Sequence, residues 1–272
     1  MIEVSDTSFD LSNALTYTLS IRLIPSGFCF SFFDSEKRLV RYVEIGEDKV
    51  KDEEFLQKRY ASVFYLVDSN RYTLLPVPAF QKENQSLFWN LNFGRLESDE
   101  ELRYDEVRLT GIVNLYAVKK REWEQVSALF TEQKVRCVHR QSAQMTIAVM
   151  RNKQANRRQL FVYMREKEFD VLLLDMGQVI LANTFTYRNT NDFLYFTLNV
   201  FNQLRIDPFN TEVCINGSES GVETEQLSKY IEKVRDDNFL QKELPTAIVK
   251  SSSSSEMIKK ASTLINLPFS VN

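Results

Sequence analysis

The sequence predicts a two-domain α/β protein in which one device is written twice. Tyr17 to Ile45 and Leu160 to Tyr187 each read as three strands joined by tight turns. Each set is followed by a segment with helical spacing, and each half closes with a further strand and helix. Meander, helix, strand, helix, repeated, argues for two α/β layers rather than a sandwich or a bundle.

In the first copy, Tyr17 to Ile24 alternates apolar and polar side chains with the period of two of a half-buried strand. Pro25-Ser26-Gly27 turns the chain into Phe28 to Phe33, and Asp34 to Lys37 turns it again into Arg38 to Ile45. The second copy keeps the order: Leu160 to Met164, a turn at Arg165 to Glu168, Phe169 to Leu174, a turn at Asp175-Met176-Gly177, then Val179 to Tyr187. Asp34 and Asp175 thus occupy matching turns.

After the first meander, Asp52-Glu53-Glu54 suits a helix N-terminus, and Leu56, Tyr60, Val63, Phe64 and Val67 recur at helical spacing. After the second, Asn189-Thr190-Asn191 offers caps, and Phe193, Phe196, Val200 and Leu204 share one side of a helix. The closing pairs are a strand over Val107 to Val118 leading into a helix over Arg121 to Phe130, and a strand at Glu212 to Ile215 leading into a helix over Thr224 to Val234. The expected domains are 14–135, with an insertion near 80–100, and 136–250. Pro245 to Lys250 reads as a last strand. Residues 251–272 read as a serine-rich linker, Ser251 to Ser255, and a C-terminal helix carrying Met257, Ile258, Ala261, Leu264 and Ile265.

A chain of 272 residues holds two domains of ordinary size, each with a core. Hydrophobic residues are 43%, charged residues 26%, and the formal charge is −3. No apolar run approaches the roughly 20 residues that span a bilayer. Met1 to Asp6 lacks the basic and apolar segments of an export signal, so the cytoplasm is the expected compartment. Cys29, Cys137 and Cys214 are far apart and odd in number, as expected of reduced core thiols.

The double meander resembles the actin-like ATPase fold, the two-domain relative of the ribonuclease H fold. In particular it is similar to an uncharacterised bacterial family, a domain of unknown function, within that fold. The resemblance covers Tyr17 to Val234. It implies a nucleotide between the domains, held where the first turn of each meander presents an Asp, glycines and a Ser or Thr to phosphates and magnesium. Neither turn here fits. Leu23-Ile24 stands where the Asp belongs and Pro25 removes a donor, which leaves Ser26 and Gly27. Arg165-Glu166-Lys167-Glu168 has no glycine and two carboxylates that repel phosphate. Seven glycines in 272 residues is well below the ~7% of average usage.

Asn216 to Gly221 follows a buried strand and precedes a helix, the place of the loop beneath adenine and ribose in actin-like ATPases. Gly217 and Ser218 there are either ligand contacts or plain turn chemistry. Asp175-Met176-Gly177 resembles a phosphate loop, but it falls at the second turn of its meander and reads as a hairpin.

His139 is the sole histidine, which removes most metal sites; Cys137 lies two residues away, on the same face of a strand. Two positive neighbours, Arg136 and Arg140, disfavour its protonation. From Lys134 to Lys167 there are nine basic residues and one acid, Glu166, so this junction either meets an anionic partner through Arg151, Arg157 and Arg158 or is a solvated surface. Gln144 to Asn152 reads as part of a helix joining the domains. The segment Phe80 to Phe93, with Phe88, Trp89 and Leu91, is either core or, if exposed, a protein-binding surface.

The sequence therefore points to a non-catalytic binding or scaffolding protein on a degenerate actin-like fold, with no cofactor, no metal, no catalytic residue and an unidentified protein partner. The first alternative is a weak ATP-binding switch or ATPase that takes ATP and magnesium in the cleft through Ser26, Gly27, Gly217 and Ser218. The second is a polyanion such as RNA on the basic junction.

Overall fold

A computed structural model describes residues 2–107, 109–155, 157–217 and 221–237. The strand, linker and helix expected from Pro245 onward lie outside these residues, as does Ser218. A short strand, β1 (Ile2–Ser5), pairs antiparallel with the last strand of the first meander, which runs β2 (Thr18–Ile24), β3 (Gly27–Phe33) and β4 (Leu39–Ile45). Asp34 accepts from the backbone N–H groups of Glu36 and Arg38, both at 2.9 Å, and so closes the second turn.

The helix expected over 52–67 does not form. Two short 3-10 turns, Val50–Asp52 and Glu54–Gln57, lead into strand β5 (Ser62–Val67). Val63 to Val67 is a continuous apolar run, and β5 lies between two neighbouring strands and is buried along that run. An all-apolar run fits a central parallel strand better than one face of a helix. Phe55 covers the sheet where a helix was expected, edge-on to Phe30 at 4.9 Å and to Phe32 at 5.4 Å.

The insertion is larger than 80–100. It is a three-stranded antiparallel sheet of β6 (Tyr72–Pro76), β7 (Glu100–Val107) and β8 (Ile112–Lys119), with β8 central, plus helix α1 (Gln85–Phe93). The strand read over Val107 to Val118 is thus the end of β7, a turn and most of β8. Trp89 is fully buried against Leu115 and Ala117, with Phe88 and Phe93 beside it, while Leu87 and Leu91 are exposed. Helix α2 (Lys120–Ala128) then leads to β9 (Val135–His139), the outer strand of the first sheet. The boundary expected between 135 and 136 falls inside β9.

From β9 the chain passes directly into α3 (Arg140–Ala155), then into the second meander, β10 (Gln159–Met164), β11 (Glu168–Asp175) and β12 (Gln178–Thr186). Helix α4 (Thr190–Gln203), capped by the Asn189 side chain on the Asp192 N–H, β13 (Glu212–Asn216), α5 (Val222–Leu227) and β14 (Lys233–Asp236) complete it. The helix read over Thr224 to Val234 is therefore shorter, and Val234 is in a strand. Period-two alternation sorts the second sheet's side chains. Leu160, Val162, Phe169, Val171 and Leu173 meet Phe193 and Val200 of α4. Phe161, Leu172, Leu174 and Cys214 meet Met145, Ala148 and Val149 of α3 on the other face.

The two sheets run β1-β4-β3-β2-β5-β9 and β12-β11-β10-β13-β14. Without β1 the orders are the same, and in each the first meander strand is followed by two parallel strands. The protein is a duplicated α/β fold. No helix among the described residues is long and apolar enough to cross a membrane.

Candidate functional site: the junction of the two sheets

Parallel pairing puts the carboxyl ends of β2, β5 and β9 at one end of the first sheet, and those of β10, β13 and β14 at one end of the second. Loops at such ends are where open α/β sheets place ligands. Here the two ends meet each other. Asp68 and Asn70, just beyond β5, contact Arg165 and Glu168 at the first turn of the second meander.

The centre of this junction is Asp170, which is fully buried on β11. Arg140, the first residue of α3 and itself fully buried, pairs with it through Nε to Oδ2 at 2.9 Å and Nη2 to Oδ1 at 3.2 Å. Arg165 approaches Oδ1 at 3.2 Å, the Thr184 hydroxyl donates to it at 2.7 Å, and the Gln144 amide donates to Oδ2 at 3.1 Å. Arg140 also pairs with Asp68 and donates to Asn70 Oδ1 at 3.2 Å. Arg165 in turn reaches Asp68 at 3.4 Å and Glu168 at 2.7 Å. Burial by itself raises the Asp170 carboxyl; Arg140 and Arg165, with the Thr184 and Gln144 hydrogen bonds, outweigh it and hold the group below its ordinary value.

Beneath this network lies His139, the last residue of β9 and fully buried. Its Nε2 is 2.8 Å from the Ser69 carbonyl, and its Nδ1 is 3.1 Å from the Gln141 N–H and 3.0 Å from the Asn114 amide. Both ring nitrogens are engaged, so the ring forms no pair with the Cys137 thiol. Burial, rather than its two arginine neighbours, pushes His139 down to about 4. Burial also pushes Asp105 up to about 6, against hydrogen bonds from the His139 N–H at 2.7 Å and the Tyr116 hydroxyl at 3.0 Å.

These two groups act oppositely on stability. The folded chain binds fewer protons at His139 between pH ~6.5 and about 4, so stability is full above that window and falls by roughly 3 kcal/mol as pH drops through it. At Asp105 the folded chain holds its proton up to about pH 6, so stability rises as pH drops from there towards ~3.9. Asp105→Asn removes the second effect. Urea midpoints of that variant should fall steeply between pH 6.5 and 4 where the parent changes little, and parallel profiles would contradict the assignment.

Among the described residues, Ser26 and Gly27 stand at the first turn of the first meander, and Gly217 directly follows β13. Pro25 and Ser26 are the exposed pair of a two-residue hairpin, with Ile24 opposite Gly27. Gly27 has φ +137°, and a Cβ there would lie 2.3 Å from the Ile45 carbonyl, so this position needs glycine for backbone packing. Gly217 has φ +81°, and a Cβ there would lie 3.1 Å from the Met164 carbonyl, a tight contact rather than a clash. At Asp175-Met176-Gly177 both Met176 and Gly177 have positive φ and Asp175 pairs with Gln178, which makes a tight hairpin.

The three arginines nominated at the basic junction each have a carboxylate partner within the molecule. Arg151 pairs with Asp237, Arg157 with Glu212 at 2.8 Å, and Arg158 with Asp175. Arg140 and Arg165 belong to the Asp170 network. The three cysteines carry free thiols; burial pushes Cys29 up to about 11 and Cys137 and Cys214 up to about 12. Among the described residues no cluster of three or more His, Cys, Asp or Glu could hold a metal ion.

The model of a family described as "Protein of unknown function (DUF3822)" matches residues 6–234. The chain belongs to DUF3822. No curated protein matches its sequence. Among solved structures, this DUF3822 chain is similar to a Bacteroides thetaiotaomicron protein with an actin-like ATPase fold and unknown function. The TM-score is 0.74 at 21% identity, covering 90% of this chain and 99% of that one. It is also similar to the PilM–PilN type IV pilus biogenesis complex, with a TM-score of 0.60 at 11% identity over 94% and 98% of the two chains. The fold of this DUF3822 protein is thus actin-like, as the double meander implied.

The sequence reading did not single out Asp68, Arg140 and Asp170 as a group. One signal was present: Asp170 interrupts the apolar run Phe169 to Leu174. A carboxylate that stays ionised in a buried strand needs a cation or strong hydrogen-bond donors.

Proposed function

We propose that this DUF3822 protein is a non-catalytic, partner-holding scaffold of the bacterial cytoplasm, whose inter-domain cleft is fastened by charge rather than by a nucleotide. One observation carries the reading. The turn that would face phosphate in the second domain instead places Arg165 and Glu168 on Asp68 and Asn70 of the first, around a buried Asp170 held by Arg140. A triphosphate entering there meets three carboxylates, and drawing either arginine away leaves Asp170 buried with too little positive charge. The glycines at both candidate loops answer to backbone packing, and Ser26 alone cannot supply a phosphate cradle. The likeness to PilM, solved in a complex with PilN, supports a partner-holding role for this architecture. Neutralisation of Arg151, Arg157 and Arg158 weighs against a polyanion on the junction.

Purified protein is expected to show no magnesium-dependent ATP hydrolysis above a no-protein blank. Hydrolysis that disappears in Ser26→Ala would overturn the proposal.

A further inference from the structure

A second concavity lies away from the charged junction. β6 is an edge strand of the three-stranded sheet and β12 an edge strand of the second five-stranded sheet. The two edges converge where the Tyr72 hydroxyl lies 3.3 Å from Thr184 Oγ1, and Leu74 of β6 packs on the same buried cluster as Val179 and Ala182 of β12. Towards the other end of β6 they bound an open groove of about 670 Å³. That volume lies within the ~300–1,000 Å³ of ordinary ligand sites.

Three properties of the groove define what fits it. Its walls carry large exposed apolar side chains: Met176 is 68% exposed, Ile180 50% and Leu109 43%. Large apolar side chains gathered around one concavity mark a binding surface more strongly than the same residues scattered singly. Next, the ladder between β11 and β12 shifts register at Leu173/Leu174, so Ile180 has no partner across it and its side chain is re-aimed into the groove. Last, among the described residues Lys153 is the only charged residue of the lining, in a chain of net charge −3. Its aliphatic stem lies against Gly177, where a Cβ would approach Lys153 Cγ to 2.7 Å, and no carboxylate of the described residues pairs with it.

We propose that the groove between β6 and β12 binds an extended peptide of a partner protein, apolar along one face and carrying one carboxylate that pairs with Lys153. The inference rests on the partner-holding part of the function proposed above and names its site. An edge strand leaves backbone N–H and C=O groups without ladder partners, and an extended peptide satisfies them as a compact apolar ligand does not. Alternate side chains of that peptide enter the apolar trench. The single cation selects a carboxylate and rejects a like charge, which is specificity by repulsion as well as attraction. A nucleic acid would need several converging cations, and the described lining offers one.

The test uses the full-length protein and a defined set of fluorescent eight-residue peptides in which Leu or Val alternates with Ser, the central position being Asp, Asn or Lys. Anisotropy titrations should rank Asp over Asn over Lys, with at least tenfold between the extremes. Lys153→Glu, an exposed change, should reverse the order, and Ile180→Glu should weaken the Asp peptide at least tenfold. Leu91→Glu, on the exposed stripe of α1, should leave binding unchanged. Absence of a charge preference, no reversal in Lys153→Glu, or loss of binding in Leu91→Glu would overturn the proposal. So would groove variants that alter only the oligomeric state, which would make a second copy the occupant. ATP hydrolysis alongside an intact Asp preference would overturn the reading of the cleft and support the groove.

Discussion

Replacing Asp170 by alanine should destabilise the protein by roughly 3–5 kcal/mol, the range for removing one partner of a buried ion pair. The mechanism is uncompensated charge. Arg140 is fully buried, and without Asp170 the direct ion pair left to it among the described residues is with Asp68 at the rim, with Arg165 now a like charge close by. The neutral variant Asp170→Asn keeps the volume and should still lose most of this, because an amide offers one acceptor where the carboxylate receives from Arg140, Arg165, Thr184 and Gln144. The double variant Arg140→Met, Asp170→Leu should recover part of the loss, since a buried pair is often replaceable by well-packed apolar side chains while a broken pair is not. Urea unfolding of the parent and the three variants measures the pattern, and a double variant no more stable than Asp170→Ala would contradict it. Asp170 also sets the acid limb. Its folded value lies below its unfolded one, so its contribution is present above pH ~4 and is lost as pH falls through the lower folded value.

Gly27→Ala is expected to cost about 2–4 kcal/mol, the sum of a residue forced into a glycine-only conformation and an overpacked contact. The obstacle is backbone: the Ile45 carbonyl at 2.3 Å, Gly46 Cα at 2.8 Å and the Glu47 N at 2.9 Å from the added carbon, none of which can rotate away. Gly111→Ala is the control. It has φ +68° but nothing within 4 Å of an added Cβ, so only the conformational part, about 1 kcal/mol, should appear. Equal losses at the two positions would show that packing against Ile45 is not what holds Gly27 in place. An unchanged stability in Gly27→Ala would return this residue to a ligand-binding role.

The meanders were legible because period-two alternation and turn residues are local, and matching Asp34 to Asp175 set the register between the copies correctly. The same local reading misjudged Val63 to Val67, since an apolar run long enough for either element is decided by its neighbours, here β2 and β9. Strand β14 was likewise hidden, its Lys-Val-Arg-Asp carrying little apolar signal. The junction was half legible. Absent phosphate-loop residues could be seen in Pro25 to Gly27 and Arg165 to Glu168, whereas what replaces them depends on Asp68 meeting Arg165 and Arg140 meeting Asp170, contacts between residues 97 and 30 positions apart. The partners of the basic run from Lys134 to Lys167 were hidden for the same reason: the carboxylates that pair with its arginines, Asp68, Asp170, Asp175, Glu212 and Asp237, all lie outside it.

The central claim is that charge pairing, rather than a nucleotide, joins the two halves, and a thermal melt with and without millimolar ATP and magnesium tests it most directly. A ligand of the folded state at one hundred times its Kd adds about 2.7 kcal/mol, which moves the melting temperature of a chain this size by roughly 5–10 °C. The fastened cleft predicts no shift in the parent protein; a saturable shift of several degrees, lost in Gly27→Ala or Arg165→Ala proteins that remain folded, would contradict it.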